Sequence, residues 1–483
     1  MKKISLFIIF LSAFCFNAVS CDKGPVSGGD GEKPVQTDAA TRNIERAIAI
    51  TDAATAAYIS SELGMYKYYN PYTGQVTDRG YENVWEYSSA FEAVTNILHA
   101  LAVQKESGDS RLYDLHFDRY KALLDRLYKG MAYFEGSYYL TSYTKNNHPW
   151  TVYGVPRASS PGSNNVTGIL NVYDDQMWII RDFIEVWYAT GDKSYLEKAE
   201  YLAEYVIDGF DCCVDADGKE YGGITWGPGY VSKHSCSNGP FISPLVWLSD
   251  IYKGKGEKAT RYYIDPSDRK TRKTEQMDKS EYFLSYARKV YDYQKSHLLR
   301  NDGVYADMMG GDDTGGKVVY ETVDGVEYRR HTNLRDQAGP PYSYNTGAIL
   351  SGAADLYRVT GDAEYLKDVQ SLTDAGFAYF AKYGTTVKDL YTYDFKGNNS
   401  WFNAVLLRGF IDAFPAYSGA ALPVDSFQQV YDYAYDNFLY EGLMPNSLYL
   451  GWANDKSKRT VRGRDQFAYA AQFALLALYE LEN

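Results

Sequence analysis

Apolar residues recur every three to four positions along most of the chain, which is the spacing of amphipathic helices. Few stretches alternate apolar and polar residues over a useful length, so any strands should be short hairpins within loops. The pattern predicts about twelve helices, near residues 39–62, 82–106, 111–132, 174–190, 193–209, 240–254, 279–298, 343–360, 363–382, 399–414, 424–439 and 464–481.

Two predicted helix junctions share one short sequence. Thr-Gly-Asp followed by Tyr-Leu occurs within residues 187–196 and again within residues 356–366. The glycine suits the left-handed residue that ends one helix, and the aspartate suits the N-cap of the next. Helices joined by so short a turn pack antiparallel. Repeated helical hairpins of this kind indicate a solenoid or a closed ring.

The two ends of such a ring are predicted to differ in the length of their loops. Most connections that leave even-numbered helices are short, whereas those that enter them are long. If the hairpins alternate between an inner and an outer layer, the long loops all lie at the N-termini of the inner helices, where sites are commonly built. We therefore predict an all-α, (α/α)6 toroid that forms a single domain over residues 38–483. The long loops are 63–81, 133–173, 210–239, 299–342, 383–398 and 440–463.

One long connection does not fit this pattern. Residues 254–278 are rich in lysine and arginine and join an inner helix to the outer helix that follows it. We expect this segment to be a solvated excursion on the opposite face of the ring.

The N-terminus has the features of a bacterial lipoprotein signal. Residues 1–20 contain two lysines, an apolar run too short to span a bilayer and then small residues before Cys21. We expect Cys21 to carry a lipid anchor, although an ordinary cleaved signal is an alternative. Residues 21–37 are rich in Gly, Pro, Lys and Asp and predict a flexible tether. The expected location is the cell envelope, at the outer membrane, on its surface or its periplasmic face, with no membrane contact beyond the anchor.

The net charge and the cysteine spacing limit the binding partners, metals and cofactors that the chain is expected to use. A net charge of −13 argues against nucleic acid and polyanionic glycans. Three cysteines remain after the signal, Cys212, Cys213 and Cys236, and a disulfide between Cys236 and one of the other two stays open. No spacing matches a zinc site or a phosphate-binding loop, so no metal and no cofactor are expected. We expect a monomer.

Aromatic, amide and carboxylate side chains gather at the start of each predicted inner helix. This mixture, with few cations, suits a neutral, hydroxyl-rich ligand. The chain also contains 48 tyrosines, whose flat ring and hydroxyl suit sugar binding as well as helix packing. The residues that we expect to bind substrate are Trp85, Tyr173, Trp226, Asn238, Tyr344, Asn345, Trp401, Phe402 and Asp465.

Two adjacent aspartates, Asp174 and Asp175, stand where a long loop becomes an inner helix. Either could simply cap the helix or favour its first turn. Glycoside hydrolysis, however, needs one carboxylic acid and one carboxylate beside the scissile bond. Neighbouring helical residues place their carboxylates close together, and a separation of about 5–5.5 Å favours retention of anomeric configuration. Repulsion between the two acids should make one of them keep its proton to higher pH.

The sequence resembles glycoside hydrolase family 76, the endo-α-1,6-mannanases, over nearly all of the chain after the tether. The most specific matching element is the aspartate pair after a tyrosine, entering an apolar helix that ends in Thr-Gly-Asp. The other matching stretches are Gly222-Gly223-Ile224-Thr225-Trp226, Tyr344-Asn345-Thr346-Gly347, Trp401-Phe402-Asn403 and Arg464-Asp465-Gln466.

The resemblance implies an (α/α)6 fold and endo-acting hydrolysis of α-mannan with retention. It implies that Asp174 is the nucleophile and Asp175 the general acid/base, with mannan or mannooligosaccharides as substrate. The opposite order of the pair stays open, as does chemistry by Asp175 with Glu86 or Asp465 while Asp174 caps the helix. Two functions of other kinds also stay open. These are a surface lipoprotein that binds glycans without cutting them, and another (α/α)6 enzyme such as an unsaturated glucuronyl hydrolase.

Overall fold

The computed structural model describes residues 38–395, 397 and 399–483. The predicted signal peptide (1–20), Cys21 and the tether (21–37) lie outside the described residues. Within the described part of the chain, no helix combines the length and the apolar character needed to cross a bilayer.

The described residues form twelve α-helices, so the predicted all-α fold is confirmed. Their bounds agree with the apolar periodicity to within a few residues. They are α1 (Ala39–Tyr58), α2 (Val84–Glu106), α3 (Arg111–Met131), α4 (Tyr173–Thr190), α5 (Lys193–Asp208), α6 (Gly239–Tyr252), α7 (Lys279–Leu298), α8 (Ser343–Thr360), α9 (Ala363–Phe380), α10 (Ser400–Ala413), α11 (Ala421–Phe438) and α12 (Gly463–Glu482).

The helices form two concentric layers. The even-numbered helices contact one another in chain order, and α12 also contacts α2, which closes the inner ring. The odd-numbered helices pack outside it, each against an even-numbered neighbour. The even-numbered helices are the more deeply buried, since buried residues lie around nearly their whole circumference. The predicted (α/α)6 toroid is therefore confirmed.

The repeated junctions have the conformation that their sequence predicts. Gly191 and Gly361 end α4 and α8 in the left-handed region, with φ of 72° and 67°. Asp192 and Asp362 then cap α5 and α9, each accepting a hydrogen bond from the backbone N–H two residues later. Helices α4 and α8 therefore turn back directly into their outer partners at the end of the ring opposite the long loops.

Among the described residues, short strands occur only in the connections between helices, as expected. They pair as two three-stranded sheets and four hairpins. In chain order they are β1 (Tyr66–Asn70), β2 (Gln75–Tyr81), β3 (Glu135–Leu140), β4 (His148–Tyr153), β5 (Lys233–His234), β6 (Lys258–Ile264), β7 (Arg272–Asp278), β8 (Met308–Asp312), β9 (Tyr320–Val323), β10 (Val326–Arg329), β11 (Leu334–Ala338), β12 (Lys382–Tyr383), β13 (Tyr391–Thr392) and β14 (Val461–Arg462).

The basic connection 254–278 differs from its prediction. It forms the β6–β7 hairpin, and Arg272 of β7 donates to the Tyr143 carbonyl at 3.2 Å and to the Glu321 carboxylate at 2.9 Å. Both acceptors belong to long loops at the N-termini of inner helices. Strands of seven residues span roughly 23 Å, so the hairpin reaches from one end of the ring to loops at the other. The prediction that it stays on the opposite face as a solvated excursion is wrong.

The centre of the ring is polar below the level of the aspartate pair. Arg408 of α10 forms an ion pair with Glu92 of α2, and Arg181 lies 3.3 Å from Glu185 on α4. All four side chains are nearly excluded from solvent. The Arg408–Glu92 pair joins α10 to α2, whereas the Arg181–Glu185 pair lies within α4.

Candidate active site

The mouth of the ring holds an apolar cluster that is separate from the main core. Its buried members come from three inner helices and the loop that enters α6, and partly exposed aromatic rings pack against them. The mouth cluster consists of Trp178, Cys236, Tyr344, Ala348 and Val405, with Trp85, Trp226, Tyr342 and Phe402 around it. The structure thus brings aromatic residues from five separate segments to one cleft.

Asp174 and Asp175 lie in the first turn of α4, at the edge of this cluster. The N-cap of the helix is Val172, and no side chain makes a capping hydrogen bond there. Neither aspartate is therefore a helix cap, and the interpretation of Asp174 as a cap is wrong. Their place in the first turn still puts both carboxylates at the positive end of the helix dipole.

Asp174 is held through one of its two oxygens. The Trp226 indole Nε1 donates to Oδ2 at 3.3 Å, whereas Oδ1 has no hydrogen-bond partner. Burial raises the pKa of Asp174 to about 6, while the adjacent Cys236 thiol and the Trp226 indole favour the ionised form and oppose the rise. Asp174 is thus a carboxylate with Oδ2 held by Trp226 and with a buried Oδ1 to which none of the described residues donates.

Asp175 is only 5% exposed. Burial raises its pKa well above the usual range of an aspartate, and the negative charges of Asp174 and Glu86 add to the rise. Asp175 therefore keeps its proton at a pH at which Asp174 has lost its own. Two neighbouring acids with separated pKa values are the pattern of an acid and a nucleophile or base.

Trp226 is fixed in place by aromatic neighbours. Its ring stacks on His234 at a centroid distance of 4.8 Å and 25°, and it contacts Tyr230 at 4.6 Å. Burial lowers the pKa of His234 to about 4. His234 is therefore neutral at the pH at which Asp174 ionises and serves as a flat support for Trp226.

A buried ion pair anchors the segment that leads to Trp226. Lys233 donates to Asp211 Oδ2 at 2.8 Å and to the Gly222 carbonyl at 2.6 Å. His331 contacts the same aspartate oxygen at 2.7 Å. Because Asp211 and Gly222 also pair through their backbones, the ion pair fixes the loop whose next residues carry Trp226.

Five of the residues predicted to bind substrate lie at the cleft. Trp85, Trp226 and Phe402 are partly exposed, and Tyr344 is 8% exposed within the mouth cluster. Asp465 is partly exposed, but its Oδ1 accepts from Arg464 Nη2 at 2.8 Å. The first four therefore stay candidates for direct contact, while Asp465 is occupied by its own ion pair.

The other four predicted contacts require correction, because the structure buries them. Tyr173 is 1% exposed and packs against Tyr205, and Trp401 is 2% exposed, edge-on behind Trp85. Asn345 is fully buried in the first turn of α8. These three residues support the cleft from below and do not line it.

Asn238 is the fourth residue in this group, and its amide is fully used within the protein. Oδ1 accepts from the Ile224 N–H at 2.9 Å, and Nδ2 donates to the His234 and Ile224 carbonyls at 2.7 and 3.0 Å. Asn238 thus joins the two ends of the loop that carries Trp226. Its predicted contact with substrate is wrong, but it helps to position a residue of the cleft.

The other acids considered for catalysis are neutralised by arginines. Glu86 lies 3.0 Å from Arg462, as Asp465 lies 2.8 Å from Arg464. Burial and Glu82 raise the pKa of Glu86, and Arg462 opposes them. The geometry therefore favours chemistry by the adjacent pair rather than by Asp175 with either of these acids.

Two cleft residues, Asp307 and Tyr342, were missed in the sequence. Asp307 precedes β8 and accepts from the Tyr344 hydroxyl at 3.0 Å, and Tyr342 packs against Tyr344 and Phe402. Tyr342 directly precedes α8, and this position was the available signal. Nothing in the local sequence marks Asp307, because its partner is 37 residues away.

The three cysteines of the domain are unpaired and buried, so the possible disulfide is not formed in this structure. Within the part of the chain that the structure describes, no three His, Cys, Asp or Glu side chains are grouped so that they could hold a metal ion.

Comparisons with known proteins agree with this geometry. A family model described as glycosyl hydrolase family 76 matches residues 274–427. The family 76 mannosidase Bt3792 from Bacteroides thetaiotaomicron VPI-5482 is similar in structure, with a TM-score of 0.64, 21% identity, and coverage of 92% of this chain and 100% of that one. No curated protein sequence matches the chain.

Two further solved structures share the fold. One is an inactive variant of the α-1,6-mannanase GH76A of Salegentibacter sp. HEL1_6, with two consecutive aspartates changed to asparagine, in complex with α-1,6-mannotriose (TM-score 0.58, 17% identity, 90% of this chain and 99% of that one). The other is an unsaturated glucuronyl hydrolase specific for heparin (TM-score 0.51, 13% identity, 92% and 98%).

The fold is thus one that carbohydrate-active enzymes of more than one specificity share. The family model distinguishes among them: residues 274–427 match glycosyl hydrolase family 76, in agreement with the resemblance noted in the sequence. This match supports glycoside hydrolase activity.

Proposed function

We propose that this protein is a retaining endo-α-1,6-mannanase that hydrolyses the backbone of α-mannan at the bacterial cell envelope. The observation that carries the proposal is the aspartate pair in the first turn of α4, at the edge of the aromatic mouth cluster, where burial raises the pKa of Asp174 to about 6 and burial together with the charge of Asp174 raises the pKa of Asp175 well above its usual range. The inactive mannanase variant with two consecutive aspartates replaced, bound to α-1,6-mannotriose, supports both the pair and the substrate.

In the proposed reaction, Asp175 donates its proton to the glycosidic oxygen as the bond to the leaving chain breaks. Oδ1 of Asp174 attacks the anomeric carbon and forms a covalent glycosyl-enzyme. Asp175, now ionised, removes a proton from a water molecule that attacks the same carbon and releases Asp174. Two inversions give net retention, and the product keeps the α configuration.

The charges at the mouth support a neutral substrate. Arg462 is engaged by Glu82 and Glu86, and Arg464 is engaged by Asp465. A uronate substrate would need a cation to pair with its carboxylate, and these arginines are already paired. This observation favours a mannan over the substrates of unsaturated glucuronyl hydrolases. Attachment through Cys21 and a monomeric state are parts of the same proposal.

The stereochemistry of the first product tests the proposed mechanism. Proton NMR during hydrolysis of an α-1,6-mannooligosaccharide should show the α-anomer of the new reducing end first, before mutarotation produces the β-anomer. Mutarotation of free mannobiose under the same conditions provides the time reference. An initial β-anomer would show inversion and would rule out a covalent intermediate on Asp174.

The pH dependence of hydrolysis should follow the two aspartates. Activity requires Asp174 ionised and Asp175 protonated, so kcat/KM should rise with pH through about 6 and fall again at higher pH, both limbs belonging to the coupled pair. Cys236→Ala should move the acid limb to higher pH, because the thiol favours the ionised form of Asp174.

Cys212→Ala is the matched control for this experiment, since Cys212 is equally buried but lies near Glu220 and Asp211. An acid limb that is unchanged in Cys236→Ala, or that moves equally in both variants, would contradict the assignment.

A further inference from the structure

A third carboxylate, Asp307, lies at the cleft and takes no part in the proposed proton transfers. Its Oδ1 accepts from the Tyr344 hydroxyl at 3.0 Å, which fixes the plane of the carboxylate. Asp307 is partly exposed, unlike the buried Asp175. The loop holds it through its backbone as well, because the Ser235 N–H donates to the Asp307 carbonyl at 2.7 Å.

Aromatic rings lie directly beside this carboxylate. Tyr344 is nearly parallel to Tyr342, with centroids 5.8 Å apart and 13° between the planes, and Phe402 packs against both. Tyr342 is partly exposed, and the charge of Asp307 contributes to raising its pKa after burial. An exposed ring with an acceptor at its edge offers a sugar both an apolar face and a hydrogen-bond partner.

Gly339 lies against the Asp307 side chain, where a larger residue would not fit. Gly339 has a φ of +78°, and a Cβ there would lie 2.5 Å from Asp307 Cβ and 2.9 Å from Oδ2. Both the backbone conformation and the available space therefore require glycine. The Gly339 backbone therefore borders the Oδ2 side of the carboxylate.

Asp307 and the catalytic pair share one wall of the cleft. The charges of Asp174 and Asp307 both act on the Cys236 thiol and on the Tyr344 hydroxyl. Cys236 and Tyr344 both belong to the mouth cluster, so Asp174 and Asp307 border the same cluster. A mannose chain lying across this cluster would meet Asp307 with one unit and Asp174 with another.

We propose that Asp307 is a specificity-determining residue whose carboxylate accepts hydrogen bonds from the hydroxyls of a mannose unit seated against Tyr342. This inference rests on the proposed function and deepens it. A carboxylate is a strong acceptor for hydroxyl donors. A site built around such a bond discriminates strongly against a substrate that lacks the hydroxyl.

The test measures binding without turnover. In an Asp174→Asn, Asp175→Asn background, the affinity for α-1,6-mannotriose is determined by calorimetry with and without Asp307→Ala. The expected loss is about 10- to 100-fold, the range for a hydrogen bond to a charged group. The control is Asp313→Ala in the same long loop, whose side chain is 55% exposed and should leave the affinity unchanged.

Monodeoxy mannotrioses then identify the hydroxyl. At least one deoxy compound should bind the background protein more weakly than mannotriose does. The same compound and mannotriose should bind the Asp307→Ala protein with equal affinity. Asp307→Asn, which keeps the size and the Tyr344 contact, guards against a folding defect and should show an intermediate loss. Asp307→Ala binding as tightly as the background would overturn the inference alone, whereas no binding of mannotriose by the background protein would overturn the proposed function.

Discussion

Asp174→Ala is expected to lower kcat on α-1,6-mannan by at least about 10³-fold, a loss typical of removing a group that takes part directly in catalysis. Without the carboxylate, no glycosyl-enzyme can form. Added azide should partly restore turnover of an aryl α-1,6-mannobioside by attacking the anomeric carbon directly, giving a β-glycosyl azide. The measurement is steady-state kinetics with identification of the azide product by NMR.

Asp175→Ala should behave differently, because this residue acts in proton transfer. With a dinitrophenyl leaving group, which needs no acid, the first step should stay fast and the glycosyl-enzyme should accumulate as a burst. Azide should then give the α-glycosyl azide. The two variants are each other's control, and an exchange of their azide products would show that the roles of the pair are reversed.

Lys233→Met is expected to destabilise the folded protein by about 3–5 kcal/mol, the cost of leaving one partner of a buried ion pair uncompensated. Asp211 and Lys233 are nearly excluded from solvent and 2.8 Å apart. The free energy of unfolding is measured by denaturant titration at neutral pH. Lys258→Met, which removes an exposed lysine 3.8 Å from Asp278, should change it by less than about 1 kcal/mol.

Acid should remove the contribution of this pair in the wild type. Burial raises the pKa of Asp211, but Lys233 and His331 outweigh burial and hold the pKa well below its usual range. A carboxyl whose pKa is lower in the folded than in the unfolded state stabilises the folded protein at pH values above the unfolded pKa of about 3.9. This stabilisation is lost as the pH falls below that value toward the folded-state pKa. Equal stability of wild type and Lys233→Met at neutral pH would contradict the role given to the pair.

The helices could be predicted from the sequence because their signal is local. The bounds of α7 agree residue for residue, and the two Thr-Gly-Asp junctions correctly predicted both a helix end and a helix start. The prediction for α1 ran to residue 62, whereas the helix ends at Tyr58, because a turn and a bridge between Ile59 and Met65 follow. The β6–β7 hairpin was misplaced since connection length does not reveal the direction in which a segment runs.

The candidate site was predictable only in part. Asp174 and Asp175 combine two unusual local features, adjacency and a place in the first turn of an inner helix. The sequence did not reveal which of two adjacent residues in the first turn of an inner helix faces the cleft. Trp401 and Phe402 differ by about 100° around the α10 axis, and only Phe402 is partly exposed. Asp307 depends on a tertiary contact with Tyr344, which local sequence does not encode.

The most direct test of the account is digestion of linear α-1,6-mannan by the wild type and by an Asp174→Asn, Asp175→Asn variant, with the products separated by chromatography. The wild type should release a series of mannooligosaccharides and the variant none, although the variant still binds the polymer. A wild type that binds mannan but releases no oligosaccharide would contradict the hydrolase assignment and leave a glycan-binding protein in its place.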